Sequence, residues 1–154
     1  MSPSVQAGSE PGAVPSAAAP RARQRCELSQ RFYFEAAHTL RRRVEAVGSS
    51  RIHGHTYQAE VSVAGFPCAD TGMLIDLAIL RQQIARVRES LDHHLLDEVP
   101  GLGPATLENL CAYIGAQLVD ALPGLCAVMV ERSASGDRCV MRWDRGDLPG
   151  RTGG

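Results

Sequence analysis

Three histidines offer the chain its chemistry. His53 and His55 stand two residues apart with Gly54 between them, at the head of a stretch that alternates. Tyr57, Ala59, Val61 and Val63 share one parity, and Gln58, Glu60 and Ser62 hold the other. That is the period of a half-buried β-strand, so both imidazoles leave the end of its apolar face side by side. A His-x-His pair alone is compatible with two ordinary histidines or with a metal site. A third histidine favours the metal. Leu28, Phe32, Phe34, Ala36 and His38 share a parity in the preceding stretch, and His38 closes its apolar face. If the two strands are antiparallel neighbours, three neutral imidazoles converge, with no fourth protein ligand in sight. Three ligands and an open position is how zinc is held for chemistry, whereas closed structural sites use four.

The elements that must position these residues read in the order β-β-α-α-β-β, an α+β arrangement. Strands over Cys26–His38 and from His53 to Gly65 are joined by a polar loop, Thr39–Ile52, holding Arg41, Arg42, Arg43, Glu45, Gly48, Ser49 and Ser50. Turn residues occupy Phe66–Gly72. Asp76 then caps a helix whose Leu77, Leu80, Ile84, Val87 and Leu91 recur at three- and four-residue spacing. Thr106 caps a second, carrying Leu107, Leu110, Cys111, Ile114, Leu118 and Leu122 and stopped by Pro123-Gly124. Strands over Leu125–Arg132 and Arg138–Trp143 finish the domain. The expected result is a four-stranded antiparallel sheet with two helices on one face. Its other face is polar (Thr56, Gln58, Glu60, Ser62), and its two edges need partners.

Composition narrows the function classes. A chain of 154 residues with a net charge of −1 carries no nucleic-acid stripe and no basic membrane surface. No apolar run approaches a transmembrane span, and the N-terminus lacks the layout of a signal peptide. Five cysteines, Cys26, Cys68, Cys111, Cys126 and Cys139, show no CxxC pairing and read as free thiols in a reducing cytoplasm. Residues 1–24, rich in Ser, Ala, Pro and Gly, read as a disordered tail, 25–144 as the domain, and 145–154 as a flexible C-terminal tail.

Phe34-Glu-Ala-Ala-His38, His53-Gly-His55, Gly72-Met73, Leu91-Asp-His93 and Pro104-Ala-Thr-Leu-Glu-Asn109 occur in this order. Together they resemble the 6-pyruvoyltetrahydropterin synthase / 6-carboxytetrahydropterin synthase family, of the queuosine-pathway type, over residues 26 to 143. The resemblance implies the tunnelling fold (T-fold), in which subunits join edge to edge into an oligomeric barrel built from trimers, with active sites between subunits. It implies Zn2+ on His38, His53 and His55, and a lyase acting on the side chain of 7,8-dihydroneopterin triphosphate. It assigns proton transfer to Asp92 and His93, which by themselves read equally as a charge cluster ending a helix. It assigns pterin binding to Glu131, Thr106 and Glu108, the last two of which also suit helix capping and first-turn acidity.

The chain departs from the family in one respect. A cysteine expected in the loop before His53, at the positions held here by Ser49 or Val47, is missing. A serine hydroxyl is a poor substitute for a thiol, which leaves Glu45 as the candidate base. Family members with glutamate in that role are linked to release of 6-hydroxymethyldihydropterin. Three readings therefore stand: a 6-carboxytetrahydropterin synthase-like enzyme, a Glu-for-Cys variant giving the hydroxymethyl product, and a catalytically silent zinc- and pterin-binding relative. A cupin, suggested by His53, His55 and Glu60, fits less well, because Glu60 points to the opposite face of an unbroken strand from both histidines.

Overall fold

Burial on one side and polar pairing on the other lock the first two strands together. The computed structural model describes residues 24–44 and 46–144. In it β1 (Cys26–His38) runs antiparallel to β2 (His53–Gly65), from Cys26 opposite Gly65 to His38 opposite His53. Phe32, Phe34, Ala36, Tyr57, Ala59, Val61 and Val63 are buried on one face, where Phe34 stacks on Tyr57 with ring centroids 4.9 Å apart. The other face is a ladder of directly opposed polar pairs. Ser29 meets Ser62 at 2.7 Å, Arg31 meets Glu60 at 2.6 Å, Tyr33 meets Gln58 at 2.9 Å and Glu35 meets Thr56 at 3.4 Å. A one-residue slip would break every rung and turn the aromatic rings into water. The register that sets His38 against His53 is thus held from both faces.

The segment joining these strands contains a single helical turn, α1 (Ala46–Ser49), where the sequence suggested only loop. Its neighbour Glu45, the candidate base, lies outside the described residues. Strand β3 (Leu125–Arg132) pairs with β2, and β4 (Asp137–Arg142) pairs with β3, so the antiparallel sheet has the order β1-β2-β3-β4.

Helices α2 (Leu77–Leu91) and α3 (Leu107–Leu118) cover its apolar face. Asp76 caps α2 by accepting the Ala78 N–H, and Leu80, Ile84, Val87 and Leu91 are buried. Leu77, in the first turn, stays 40% exposed although it shares their spacing. Thr106 caps α3 by accepting the Asn109 N–H at 3.1 Å. That helix ends one turn sooner than its apolar pattern. Leu122 still reaches the core from the following turn, its N–H bonded to the Leu118 carbonyl. Gly124 returns the chain to the sheet at φ 95, where a Cβ would stand 2.8 Å from the Ala64 carbonyl oxygen. Only glycine fits both the angle and the approach.

The end of α2 also closes part of an open sheet edge. Arg88 Nε donates to the Tyr33 carbonyl at 2.7 Å, Ala37 donates to the His94 carbonyl at 3.1 Å, and Thr39 donates to Asp97 Oδ2 at 2.7 Å. Glu35, between them, is engaged by Asp92 and His93. The outer edge of β1 is therefore satisfied near the histidines. No disulfide joins the described cysteines, and no helix among the described residues is long and apolar enough to cross a membrane.

Candidate metal centre and active site

Strand register brings the histidines together. His38 faces His53 and Ala36 faces His55, so the three rings meet where β1 ends and β2 begins. Their centroids lie 4.5 Å (His38–His53), 5.1 Å (His38–His55) and 5.0 Å (His53–His55) apart. One nitrogen from each lies within 4.8 Å of those of the other two. His53 Nδ1 is 2.8 Å from the Arg51 carbonyl. Donation to that oxygen leaves Nε2 with its lone pair free, the arrangement that orients a metal-ligating imidazole.

The remaining nitrogens argue for an ion. His38 is 1% exposed, yet among the described residues neither of its ring nitrogens has a partner, and His55 Nε2 is buried and equally unpartnered. Buried polar atoms are normally paired. Burial pushes the His38 pKa down to about 4, helped by His53, His55 and Arg132, and burial followed by Arg132 lowers that of His55. Both imidazoles are thereby neutral at physiological pH, the form in which they ligate. Three nitrogen donors, oriented and deprotonated, fit a zinc ion with one position left open.

Asp92 and His93 are also held as a pair. Asp92 caps the C-terminus of α2. Its carboxylate accepts the Glu35 N–H at 2.9 Å and the Arg88 guanidinium at 2.6 Å. The Glu35 N–H is the main reason its pKa lies below the usual carboxylate range, with Arg88 and His93 adding to it. His93 takes φ 61, a left-handed backbone, and donates its N–H to the Glu35 carbonyl at 2.6 Å. Its Nδ1 is 3.2 Å from Asp92 Oδ1, and its Nε2 projects from a largely exposed ring 4.0 Å from Glu35 Oε2. His93, Glu35, Thr56 and His55 line one open cleft of about 470 Å³. His94 lines the same cleft, with its Nδ1 lying 2.9 Å from the Asp92 carbonyl.

Thr106 and Glu108 line a second hollow, of about 280 Å³, with Tyr57, Arg42, Arg132 and Asp137. Glu131 does not join them. It is paired with Gln58 in the register, and strand alternation points it to the polar face while Val130 and Arg132 point inward. Ser49 is buried and donates its hydroxyl to the Ala46 carbonyl at 3.3 Å.

Two residues escaped the sequence reading. Glu35 anchors both members of the Asp92-His93 pair through its backbone, an edge-strand role that no side-chain pattern announces. Arg132 faces the metal-side hollow, and its strand parity with Val130 was the available signal.

The sequence model of the family described as 6-pyruvoyl tetrahydropterin synthase matches residues 27–142. The 6-carboxy-5,6,7,8-tetrahydropterin synthase of Synechocystis is 36% identical over 109 residues, covering 67% of this chain and 83% of that one. The human 6-pyruvoyl tetrahydrobiopterin synthase is 32% identical over 116 residues, covering 65% and 80%. In fold, the chain is similar to the Caenorhabditis elegans 6-pyruvoyl tetrahydropterin synthase, with a TM-score of 0.69 at 22% identity over 79% of this chain and 98% of that one. A Plasmodium vivax 6-pyruvoyltetrahydropterin synthase, studied with a catalytic glutamate changed to cysteine, gives a TM-score of 0.62 at 19% identity over 79% and 99%. The sheet order and helix placement expected of a tunnelling fold are those observed.

Proposed function

The chain belongs to the 6-pyruvoyl tetrahydropterin synthase family, and from that premise we propose a zinc-dependent enzyme of the 6-carboxytetrahydropterin synthase type. Its substrate would be 7,8-dihydroneopterin triphosphate. The observation that carries this reading is the cluster of His38, His53 and His55, with buried nitrogens that no other described residue satisfies. The similarity to the Synechocystis enzyme favours the carboxy product.

His38, His53 and His55 would hold the zinc, which supplies polarisation of the hydroxyls on the pterin side chain when bound. Asp92 keeps His93 oriented from the Nδ1 side, so that His93 Nε2 takes or returns the proton. Thr106 and Glu108 bind the pterin edge from one subunit. Glu131 offers a carboxylate to two ring N–H groups, and its position on the polar face suits a pterin shared with a neighbouring subunit. A homo-oligomer built from trimers meets that need. Cysteines that form no disulfide among the described residues suit a reducing cytoplasm.

The missing loop cysteine supports a second reading, in which Glu45 is the base and 6-hydroxymethyldihydropterin the product. The Plasmodium vivax relative with a catalytic glutamate lends weight to it, as does the commitment of the Ser49 hydroxyl to its own turn. Incubation of the zinc-loaded protein with 7,8-dihydroneopterin triphosphate, followed by mass analysis, separates the products. Retained zinc and pterin binding without turnover would identify the silent relative instead. In sedimentation at micromolar concentration a multiple of three subunits is expected, and a monodisperse monomer would contradict the shared site.

A further inference from the structure

The hollow on the metal side of the sheet holds hydrogen-bond donors that the described residues leave unused. Tyr57 is 1% exposed and its hydroxyl has no partner among the described residues. Arg132 is nearly as buried, with a side chain 12% exposed. It gives one terminal nitrogen to Asp137 at 2.6 Å, but its Nε is buried and unpartnered among the described residues. Both side chains line the same cavity, as do the first residues of α3, Leu107 and Glu108. Their backbone N–H groups have no acceptor within the helix and add the positive end of its dipole. Arg42 lines the cavity from the loop beyond β1. A buried phenol and a buried guanidinium nitrogen, left without acceptors in one cavity, define a place for an oxygen atom that is not the protein's own.

The charges around the cavity restrict that ligand. Arg42 and Arg132 are set against Glu108 and Asp137, and Asp137 is already engaged by Arg132 and Ser135. The lining is formally neutral and does not suit the several charges of a polyphosphate. A single carboxylate fits better, received in the forked manner that arginine favours. Glu108, an acceptor on the same wall, suits ring N–H groups next to it. A heteroaromatic ring bearing one carboxylate satisfies both halves.

We propose that Arg132 and Tyr57, with the first turn of α3, form a carboxylate subsite beside the three histidines and make Arg132 a specificity-determining residue for a carboxylated pterin. This rests on the pterin-synthase reading above. It assigns to Arg132 the retention of the carboxylate-bearing product, a role distinct from zinc ligation and proton transfer.

Calorimetric titration of the full-length oligomer with 6-carboxypterin and with 6-hydroxymethylpterin tests it without any turnover. The native protein should bind the carboxylate at least about tenfold more tightly, the scale of a hydrogen bond to a charged group. Arg132→Met should erase that preference while leaving 6-hydroxymethylpterin binding within about twofold. Tyr57→Phe preserves the core shape, guards against a folding defect, and should reduce the preference severalfold. Arg132→Lys, which keeps charge but loses the fork, should recover only part of it. Equal binding of both pterins by the native protein would overturn the subsite while leaving the pterin reading intact. An undiminished preference in both Arg132→Met and Tyr57→Phe would do the same. Displacement of 6-carboxypterin by inorganic tripolyphosphate, lost in Arg132→Met, would reassign the cavity to a phosphate chain. Failure of both pterins to bind would remove the proposed function and the subsite together.

Discussion

Replacing His38 with leucine should strengthen the metal-free protein and weaken the zinc-loaded one. His38 is 1% exposed and both ring nitrogens lack partners among the described residues, so the metal-free fold carries an unsatisfied polar group costing about 1–3 kcal/mol. Leucine removes that cost and fills a similar volume, at a packing penalty below about 1.5 kcal/mol. The net expectation without metal is a gain of about 1 kcal/mol. Zinc reverses the order, because a ligand at a hundred times its dissociation constant stabilises the native state by about 2.7 kcal/mol. A site reduced to His53 and His55 loses most of that. The assay is urea denaturation near neutral pH at one fixed protomer concentration, with chelator and then with zinc in excess. The native protein should have the lower midpoint in chelator and the higher one in zinc. A leucine variant less stable under both conditions would refute the reasoning and make His38 an ordinary, satisfied core residue.

Gly115→Ala should destabilise the domain by about 1–3 kcal/mol despite the better helix propensity of alanine. Its Cβ would stand 2.5 Å from the Trp143 ring. Trp143 is the sole tryptophan, so displacement appears as a red-shifted emission, and unchanged emission with higher stability would contradict this packing. If Glu45 is the base, Glu45→Gln should abolish turnover while sparing zinc and pterin binding. Activity should also persist well below neutral pH, since carboxylates titrate near 4 and thiols near 8.5. Ser49→Cys should then add little. Unchanged turnover in Glu45→Gln would leave Asp92 and His93 as the relay. His53→Ala should empty the metal centre, which zinc analysis of the purified variant checks directly.

Local pattern alone determined much of this protein. The alternation through Phe32, Phe34 and Ala36 to His38, and back from Tyr57 to His55 and His53, already implied the three-imidazole cluster. A strand has only two faces, and an apolar face has only one inward direction. The caps at Asp76 and Thr106 were equally legible, since they depend on a side chain and a backbone N–H two or three residues away. Tertiary structure decided what depends on distant partners. Glu35 holds Asp92 and His93 across a gap of 57 residues or more, through a backbone edge that composition does not encode. Arg132 became a resident of the metal-side hollow only when pairing with β2 fixed the faces of β3. The same pairing sends Glu131 to the opposite face from Thr106 and Glu108. Sequence order names these residues, but sheet register chooses the side of the molecule on which each can act.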